Sequence, residues 1–261
     1  MLAVRAIFAF PALIVSSGSL GQNLMRHVDL ASPEMTQAEV TRADVEILIQ
    51  NSAPVDLSNR RLSGLDLSGL NLTGANLRAS RLNKTNLSRA DLSGAILDQA
   101  WLLGGDLSET KLVGASLFGT QARGANLKYA DLSNARVAAD LSGADLTAAT
   151  LVGLRGGADM KNQSMGLIRT ILNSANLETA NLRGADLSRA KLEFAILKGA
   201  DLSDAVLTGA DLAGADLTAA RVSGAEFGGA DVAGAKLREL SGVEQARGFD
   251  RLVNADRAWR D

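Results

Sequence analysis

The sequence predicts an all-β solenoid, a chain wound into stacked coils, and three observations support this. Leu or another aliphatic residue recurs at every fifth position over long stretches, and Ala often stands two residues before it. The 261 residues include only six Phe, two Trp and one Tyr, too few aromatic rings to anchor an ordinary globular core. Finally, a five-residue period fits neither of the two regular secondary structures.

The five-residue period excludes a long helix and a long strand. Five residues turn an α-helix by about 500°, so successive Leu side chains would point in different directions around the axis. On a continuous strand, an odd period would move Leu to the opposite face at each repeat. A short extended stretch followed by a corner keeps Ala and Leu inside and the intervening Asp or Asn outside. We therefore expect coils stacked about 4.8 Å apart.

The repeats occupy residues 55–238. Leu recurs from Leu57 through the first block, and Ala precedes each centre without interruption from Ala175 to Ala235 in the last block. Counting the centres gives 34 pentapeptides of the form A(D/N)LXX. This pattern resembles the pentapeptide repeat family. The resemblance implies a right-handed quadrilateral β-helix with four pentapeptides per coil, in which residues 20 apart lie on one face.

The register of the repeats changes near residues 152–171. The spacing from Val137 to Leu141 is four residues, and the spacing from Leu151 to Leu172 is 21. Inside this interruption Ala158-Asp159-Met160 has the form of another repeat, which leaves 163–170 as the irregular part.

Two interpretations of the irregular stretch remain open. It is either a loop that leaves the rod or a bulge whose apolar side chains fold back onto the core. These side chains are Met165, Leu167 and Ile168.

Residues 1–17 have the features of a secretory signal peptide. Arg5 precedes a run of ten apolar residues at 6–15, too short to span a bilayer as a helix. The run ends in small residues before Gly18, as signal peptidase requires. We therefore expect a periplasmic or secreted protein with no transmembrane span in its mature form. The alternative is a segment packed on the domain.

Both ends of a solenoid need a cap, because each exposes strand edges and apolar interior. In the N-terminal segment 18–54 we expect a capping helix over 35–50, starting with a capping box of Thr36 and Glu39. We expect residues 239–261 to form the C-terminal cap. The apolar sides are expected from Val40, Ile47 and Leu48 at one end, and from Val243, Phe249, Leu252, Val253 and Trp259 at the other. Since some members of the resembled family form dimers through this segment, the sequence leaves monomer and dimer open.

The composition argues against catalysis and cofactor binding. The chain has no Cys and a single His, which excludes thiolate metal sites and leaves little for histidine chemistry. Gly153, Gly156 and Gly157 lack the Lys-Ser/Thr ending of a phosphate-binding loop. Asp side chains on a flat outer face diverge, whereas calcium needs six to eight converging oxygens. We expect no catalytic, cofactor or metal site.

The function predicted is a non-enzymatic structural or protein-interaction scaffold outside the cytoplasm. The alternative is a DNA-mimicking protein of the type that protects DNA gyrase, which the resembled family includes. Residues 56–238 carry 19 acidic and 20 basic side chains, whereas a duplex mimic needs a strongly negative surface. Charge therefore favours a protein partner over mimicry, and nucleic acid is not an expected ligand.

The repeat phase indicates a candidate partner surface. Trp101 stands where other repeats carry Asp or Asn, and Leu103 and Phe118 are also in outward positions. Exposed Trp and Phe are typical of interfaces. The alternative is a local stack of aromatic rings and Arg, because a 20-residue coil places Arg81 beside Trp101. The next candidates are Met165, Leu167 and Ile168.

Overall fold

The computed structural model describes residues 28–158 and 168–260. Two α-helices precede the coils, α1 at Pro33–Thr36 and α2 at Arg42–Asn51. Three short 3₁₀-helices follow them, at Val243–Gln245, Phe249–Arg251 and Ala255–Arg257. Within the described part of the chain, no helix is long and apolar enough to cross a membrane.

Each pentapeptide turns the chain at a corner immediately after its inward Leu. In a representative repeat, the Ala75 N–H donates to the Leu72 carbonyl at 3.0 Å and closes a four-residue turn. The third residue of that turn, Gly74, has φ +67°, and the equivalent residue is left-handed in repeat after repeat. We call this third residue the corner position. A positive φ there is the requirement of a type II turn.

Backbone hydrogen bonds join each coil to the next. The Leu72 N–H donates to the Asp91 carbonyl at 2.7 Å, and the Asp91 N–H donates to the Leu70 carbonyl at 3.0 Å. The resulting parallel bridges link residues 20 apart, such as Asn71 and Asp91. These bridges confirm the prediction of a right-handed quadrilateral β-helix.

The bridged residues form four columns, one along each outer face. Face A holds Asp56, Asn76, Ile96, Ser116, Arg136, Arg155, Asp186, Val206, Glu226 and Arg247. Face B holds Arg61, Arg81, Trp101, Gln121, Asp140, Ile171, Lys191, Asp211, Asp231 and Val253. Face C holds Asp66, Asn86, Asp106, Asn126, Asp145, Asn176, Ile196, Asp216, Lys236 and Trp259. Face D holds Asn71, Asp91, Lys111, Asp131, Thr150, Asn181, Asp201, Arg221 and Ser241.

The interior is a continuous stack of Leu and Ala. The central Leu side chains, such as Leu87 and Leu187, are fully buried, as are the Ala side chains beside them. In a few repeats Thr replaces the interior Ala, and its hydroxyl is satisfied by the neighbouring coil. Thr110, for example, donates to the Leu87 carbonyl at 2.8 Å. A polar group is tolerated in the core because it is hydrogen-bonded.

The change of register consists of a shortened step of four residues, from Arg136 on face A to Asp140 on face B, and of an insertion between the same two faces one coil later. Sixteen residues separate Arg155 on face A from Ile171 on face B, where five residues separate neighbouring faces in a regular coil. The bridge from Asp140 leads directly to Ile171. Ala158 still donates its N–H to the Ser188 carbonyl at 3.1 Å, and Asp159 and Met160 lie outside the described residues, so the additional repeat expected at this tripeptide stays a prediction. The insertion adds eleven residues without shifting the faces, because the coils on both sides stay in hydrogen-bonded register.

At the N-terminal end, helix α2 lies against the first coil. Val45 is fully buried there, and the Arg42 guanidinium donates to the carbonyls of Asp66 and Ser68 at 3.0 and 3.1 Å. Both Thr41 and Asp44 contribute to the capping box of α2.

The predicted capping box of Thr36 and Glu39 is therefore wrong. Thr36 ends helix α1, and the Glu39 carboxylate pairs instead with Arg60 and Arg61 of the first coil, at 3.3 Å each. Of the three residues expected on the apolar side of the N-terminal cap, Val40 and Leu48 pack on the core. Ile47 does not, because its side chain is 53% exposed.

At the C-terminal end the chain forms a last coil with a six-residue step. Its bridged positions are Ser241, Arg247, Val253 and Trp259. Each six-residue unit turns at a left-handed Gly or Asn and then directs an apolar side chain over the core. Phe249 is one of these, and its ring meets that of the buried Phe227 edge-on, with centroids 5.1 Å apart.

Because of the six-residue step, part of the predicted C-terminal cap is wrong. Val243, Phe249 and Leu252 pack against the core as expected. Val253 and Trp259 do not, because they hold outward bridged positions and are 45% and 60% exposed. A five-residue reading cannot assign these two side chains correctly, since the phase of the repeat changes at residue 241.

The left-handed corner predicts opposite effects for two substitutions in the same coil. Ala148 has φ +54° and Gly143 has φ +65°, with open space where a Cβ would stand. An L-residue in this conformation costs roughly 1–2 kcal/mol. Ala148→Gly should therefore stabilise the fold by about 0.5–1 kcal/mol after the entropy of Gly is subtracted, and Gly143→Ala should destabilise it by about 1 kcal/mol. Urea unfolding measures both. Equal shifts of the same sign would contradict the corner geometry.

Candidate interaction surfaces

The outward Asp and Asn residues have a structural role that the sequence analysis did not identify. In each case the side-chain oxygen accepts the backbone N–H two residues further on, at the corner. Ser68 N–H donates to Asp66 at 3.0 Å, and Ser88 N–H donates to Asn86 at the same distance. Both residue types therefore hold the turn, which explains why Asp and Asn alternate at this position.

These turn hydrogen bonds lower the pKa of the carboxylates that accept them. Bonds from the Ser68 hydroxyl and N–H lower the pKa of Asp66, and bonds from Ser93 do the same for Asp91. A hydrogen bond to the charged form of a carboxylate favours ionisation. The ionised carboxylates of Asp66 and Asp91 therefore stabilise the turns that they accept hydrogen bonds from.

Ion pairs along the columns neutralise much of the remaining surface charge. Lys111 lies 3.7 Å from Asp91, and Lys236 lies 3.0 Å from Asp216, each one coil away on the same face. Exposed pairs of this kind contribute little to stability. Their main effect here is to prevent any face from becoming uniformly acidic.

The outward carboxylates do not gather into a metal site in the described part of the chain. Across residues 28–158 and 168–260, no three carboxylate or imidazole side chains converge as metal ligands would. A shallow groove of about 510 Å³ lies beside face D, where Arg183, Asp201 and Arg221 are among the lining residues. Its charges compensate one another, since Arg221 pairs with Asp201 at 3.4 Å.

The three residues of the predicted partner surface are half-buried. Trp101 lies on face B directly beside Arg81, as the 20-residue coil implied. Leu103 follows at the next corner, where its N–H donates to Asn83 at 3.0 Å. Phe118 packs under the Arg136 guanidinium, which is 4.4 Å from the ring centroid. Part of this cluster is therefore a local stack of an aromatic ring and Arg.

The second set of predicted contacts lies at the insertion. Met165 and Leu167 are outside the described residues, so the choice between a loop and a bulge stays open. Ile168 is half-buried at the end of the insertion, just before Arg169, which donates to the Arg189 carbonyl at 3.2 Å.

Two aromatic residues that the sequence analysis missed are far more exposed. Tyr129 and Phe194 are 64% and 65% exposed, and both occupy corner positions with φ +59°. The ring of Phe194 lies over Gly214 of the next coil, where a Cβ would come within 2.5 Å of it. The signal was present in the sequence as an aromatic residue two positions after an inward Leu.

The fold and its surfaces define a class of protein: a right-handed quadrilateral β-helix whose outward side chains mainly hold its own turns. The family model described as pentapeptide repeats matches the chain with eight copies, over residues 71–102, 106–137, 167–199, 185–224 and 200–239. The chain belongs to the pentapeptide repeat family.

Several solved structures of pentapeptide repeat proteins are similar to the chain. HetL, involved in heterocyst differentiation regulation in the cyanobacterium Nostoc, is 33% identical over 78% of this chain and 97% of its own, with a TM-score of 0.38. QnrB1, a plasmid-mediated fluoroquinolone resistance protein, is 18% identical over 64% of this chain and 84% of its own, with a TM-score of 0.48. A protein from the cyanobacterium Cyanothece is 27% identical over 48% of this chain and 89% of its own, with a TM-score of 0.29. No curated protein is significantly similar to the chain.

The turn-holding carboxylates predict a loss of stability in acid. Because the pKa values of Asp66 and Asp91 are lowered in the folded state, their ionised forms stabilise the fold above the unfolded pKa of about 3.9. This contribution is lost as the pH falls through the folded pKa values. The urea midpoint should therefore decrease between about pH 5 and pH 3.

A double variant tests the source of this dependence. Asp66→Asn with Asp91→Asn keeps the acceptor oxygen that holds each turn and removes the titration, so the midpoint should change less with pH. Glu178→Gln, at an exposed carboxylate outside the four columns, is the control for the loss of a surface charge. An unchanged slope in the double variant would show that other groups cause the acid sensitivity.

Proposed function

We propose that the protein is a rigid, non-enzymatic scaffold that binds a partner protein outside the cytoplasm. One observation carries the binding role: Tyr129 and Phe194 are held in the solvent at corner positions where the backbone favours Gly. An L-residue at such a corner costs roughly 1–2 kcal/mol, and an exposed ring lowers solubility. An exposed aromatic ring is not needed to form such a corner, because Ala, Gln and Glu occupy other corners of this chain, whereas large aromatic side chains are enriched at binding hot spots.

The charge distribution supports a protein partner over DNA mimicry. Duplex DNA carries one negative charge per about 1.7 Å of axis. On face C, by contrast, Asp66 and Asp106 alternate with the neutral Asn86 and Asn126. Face A carries Arg136 and Arg155 on consecutive coils. A surface with neutral interruptions and basic stretches is a poor mimic of a polyanion. Such a mixed surface is suited to binding a folded protein.

A location outside the cytoplasm is supported by the N-terminal sequence alone. Residues 1–17, which have the features of a signal peptide, lie outside the described residues. Intact-mass analysis of the protein purified from its native host tests the proposal. We expect a mature chain that begins near Gly18, and a cytosolic product that retains Met1 or Leu2 would contradict it.

The partner-binding role predicts that loss of the corner aromatics abolishes partner capture. Tyr129→Gly with Phe194→Gly removes both rings and relieves the backbone strain, so the variant should be at least as stable as the wild type. In a pull-down from extract of the native host, partner recovery should fall at least tenfold. Gln99→Gly replaces a residue of the same corner type, φ +61°, without removing a ring and should leave recovery unchanged.

A second variant tests the surface predicted from the sequence. Trp101→Ala with Phe118→Ser should also reduce recovery if the half-buried cluster on face B contributes to the same contact. Unchanged recovery with both double variants, each folded by circular dichroism, would contradict binding through these residues. Protection of DNA gyrase from a quinolone in a supercoiling assay would favour the mimicry alternative.

A further inference from the structure

Face C changes its character along the rod. In the first six coils its bridged residues are Asp or Asn in strict alternation, and two of the Asn side chains donate to the preceding Asp, Asn86 to Asp66 at 3.1 Å and Asn126 to Asp106 at 2.9 Å. In the last four coils the column instead reads Ile196, Asp216, Lys236 and Trp259. Ile196 is 39% exposed and Trp259 is 60% exposed. An apolar residue thus stands at each end of an ion pair.

The order of these four residues is self-complementary. If a second copy lies antiparallel against face C, a two-fold axis can cross the column between Asp216 and Lys236. Each Asp216 then faces the Lys236 position of the other copy, and each Ile196 faces the Trp259 position. An isologous contact requires this kind of reciprocal match. A parallel arrangement would place Asp216 against Asp216 and Lys236 against Lys236, which is repulsive.

The charges on the patch make a second copy the fitting occupant. Asp216 and Lys236 are already paired at 3.0 Å within one molecule, so the column itself carries no net charge. Two such pairs brought together form a square in which each charge has two opposite neighbours. The apolar side chains at both ends then lose contact with water, which supplies the attraction.

We propose that the protein forms an antiparallel homodimer through face C of its last four coils. The rungs from Ile196 to Trp259 span about 14 Å at the usual strand spacing. A contact of this length is smaller than the standard interface of about 800 Å² per partner, so we expect a weak dimer and test for it at about micromolar concentrations. The homodimer goes beyond the proposed binding of a partner, and Phe194 stands at the edge of this patch, since its ring lies over Gly214, two residues before Asp216.

Face D of the same molecule provides a control for the charge reversals on face C. Its last four bridged residues are Asn181, Asp201, Arg221 and Ser241, which repeat the same charge order with polar ends in place of apolar ones. Asp201 pairs with Arg221 at 3.4 Å and accepts the Ser203 N–H at 3.0 Å, much as Asp216 holds its own turn. Charge reversal at Asp201 should therefore destabilise its turn about as much as charge reversal at Asp216 destabilises the turn on face C. Because face D has no apolar ends, Asp201→Lys is the matched control.

Sedimentation velocity of the full chain from about 1 to 200 μM tests the proposal, with a dimer expected to accumulate in this range. Asp216→Lys alone and Lys236→Asp alone should each weaken self-association at least tenfold, because like charges then face each other across the axis. An equimolar mixture of the two variants should recover the dimer. A chain that carries both substitutions should recover it as well, and Asp201→Lys should dimerise like the wild type.

Three results would overturn the proposal. The wild type could remain monomeric throughout the concentration series, the dimer could persist unchanged in Asp216→Lys, or the mixture of reversed variants could fail to associate while each is folded by circular dichroism. The last result would exclude the antiparallel register, and the second would place the contact on another surface. Ile196→Ser with Trp259→Ser keeps all charges and should also weaken the dimer at least tenfold.

Discussion

The left-handed corner is the constraint on which the rest of this structure depends. Each pentapeptide has an odd number of residues, so a continuous strand would send alternate Leu side chains to opposite sides. The turn after each inward Leu, closed by bonds such as Ala75 N–H to Leu72 carbonyl, restores the phase by placing one residue at positive φ. Four such corners close a coil, and the coil-to-coil hydrogen bonds then follow from the geometry. The narrow interior of Leu and Ala is a consequence of the small perimeter.

The same corners govern what the surface can do. The bridged Asp and Asn side chains accept the N–H groups of the turns, so residues such as Asp66 and Asn86 are committed to the fold. Surface positions that depart from this pattern are consequently informative. Tyr129 and Phe194 place exposed rings at corners, and Ile196 and Trp259 replace Asp or Asn in a column. In a repeat protein of this kind, the positions where an outward side chain does not hold a turn are the candidate interaction surfaces.

Both irregular regions respect the register of the coils. The insertion between Arg155 and Ile171 adds residues between two faces and leaves the columns above and below aligned. The last coil lengthens its step to six residues, which places Phe249 over Phe227 and covers the end of the core. In each case the chain retains the hydrogen bonds between coils, and the additional residues lie between the bridged positions. Losing a rung of backbone bonds in a solenoid would leave strand edges unpaired.

The sequence by itself determined the solenoid, the four-sided coil implied by its family resemblance, and the inward positions of Leu and Ala such as Leu187 and Ala190. These follow from local periodicity, because each repeat specifies its own turn. Only the tertiary structure decided which residues start helix α2, how far the insertion extends, and that Val253 and Trp259 face outward. It also brought Ile196, Asp216, Lys236 and Trp259 into one column. Such features depend on the stacking of coils about 20 residues apart, and a change of step from five to six residues alters that stacking without changing the local composition.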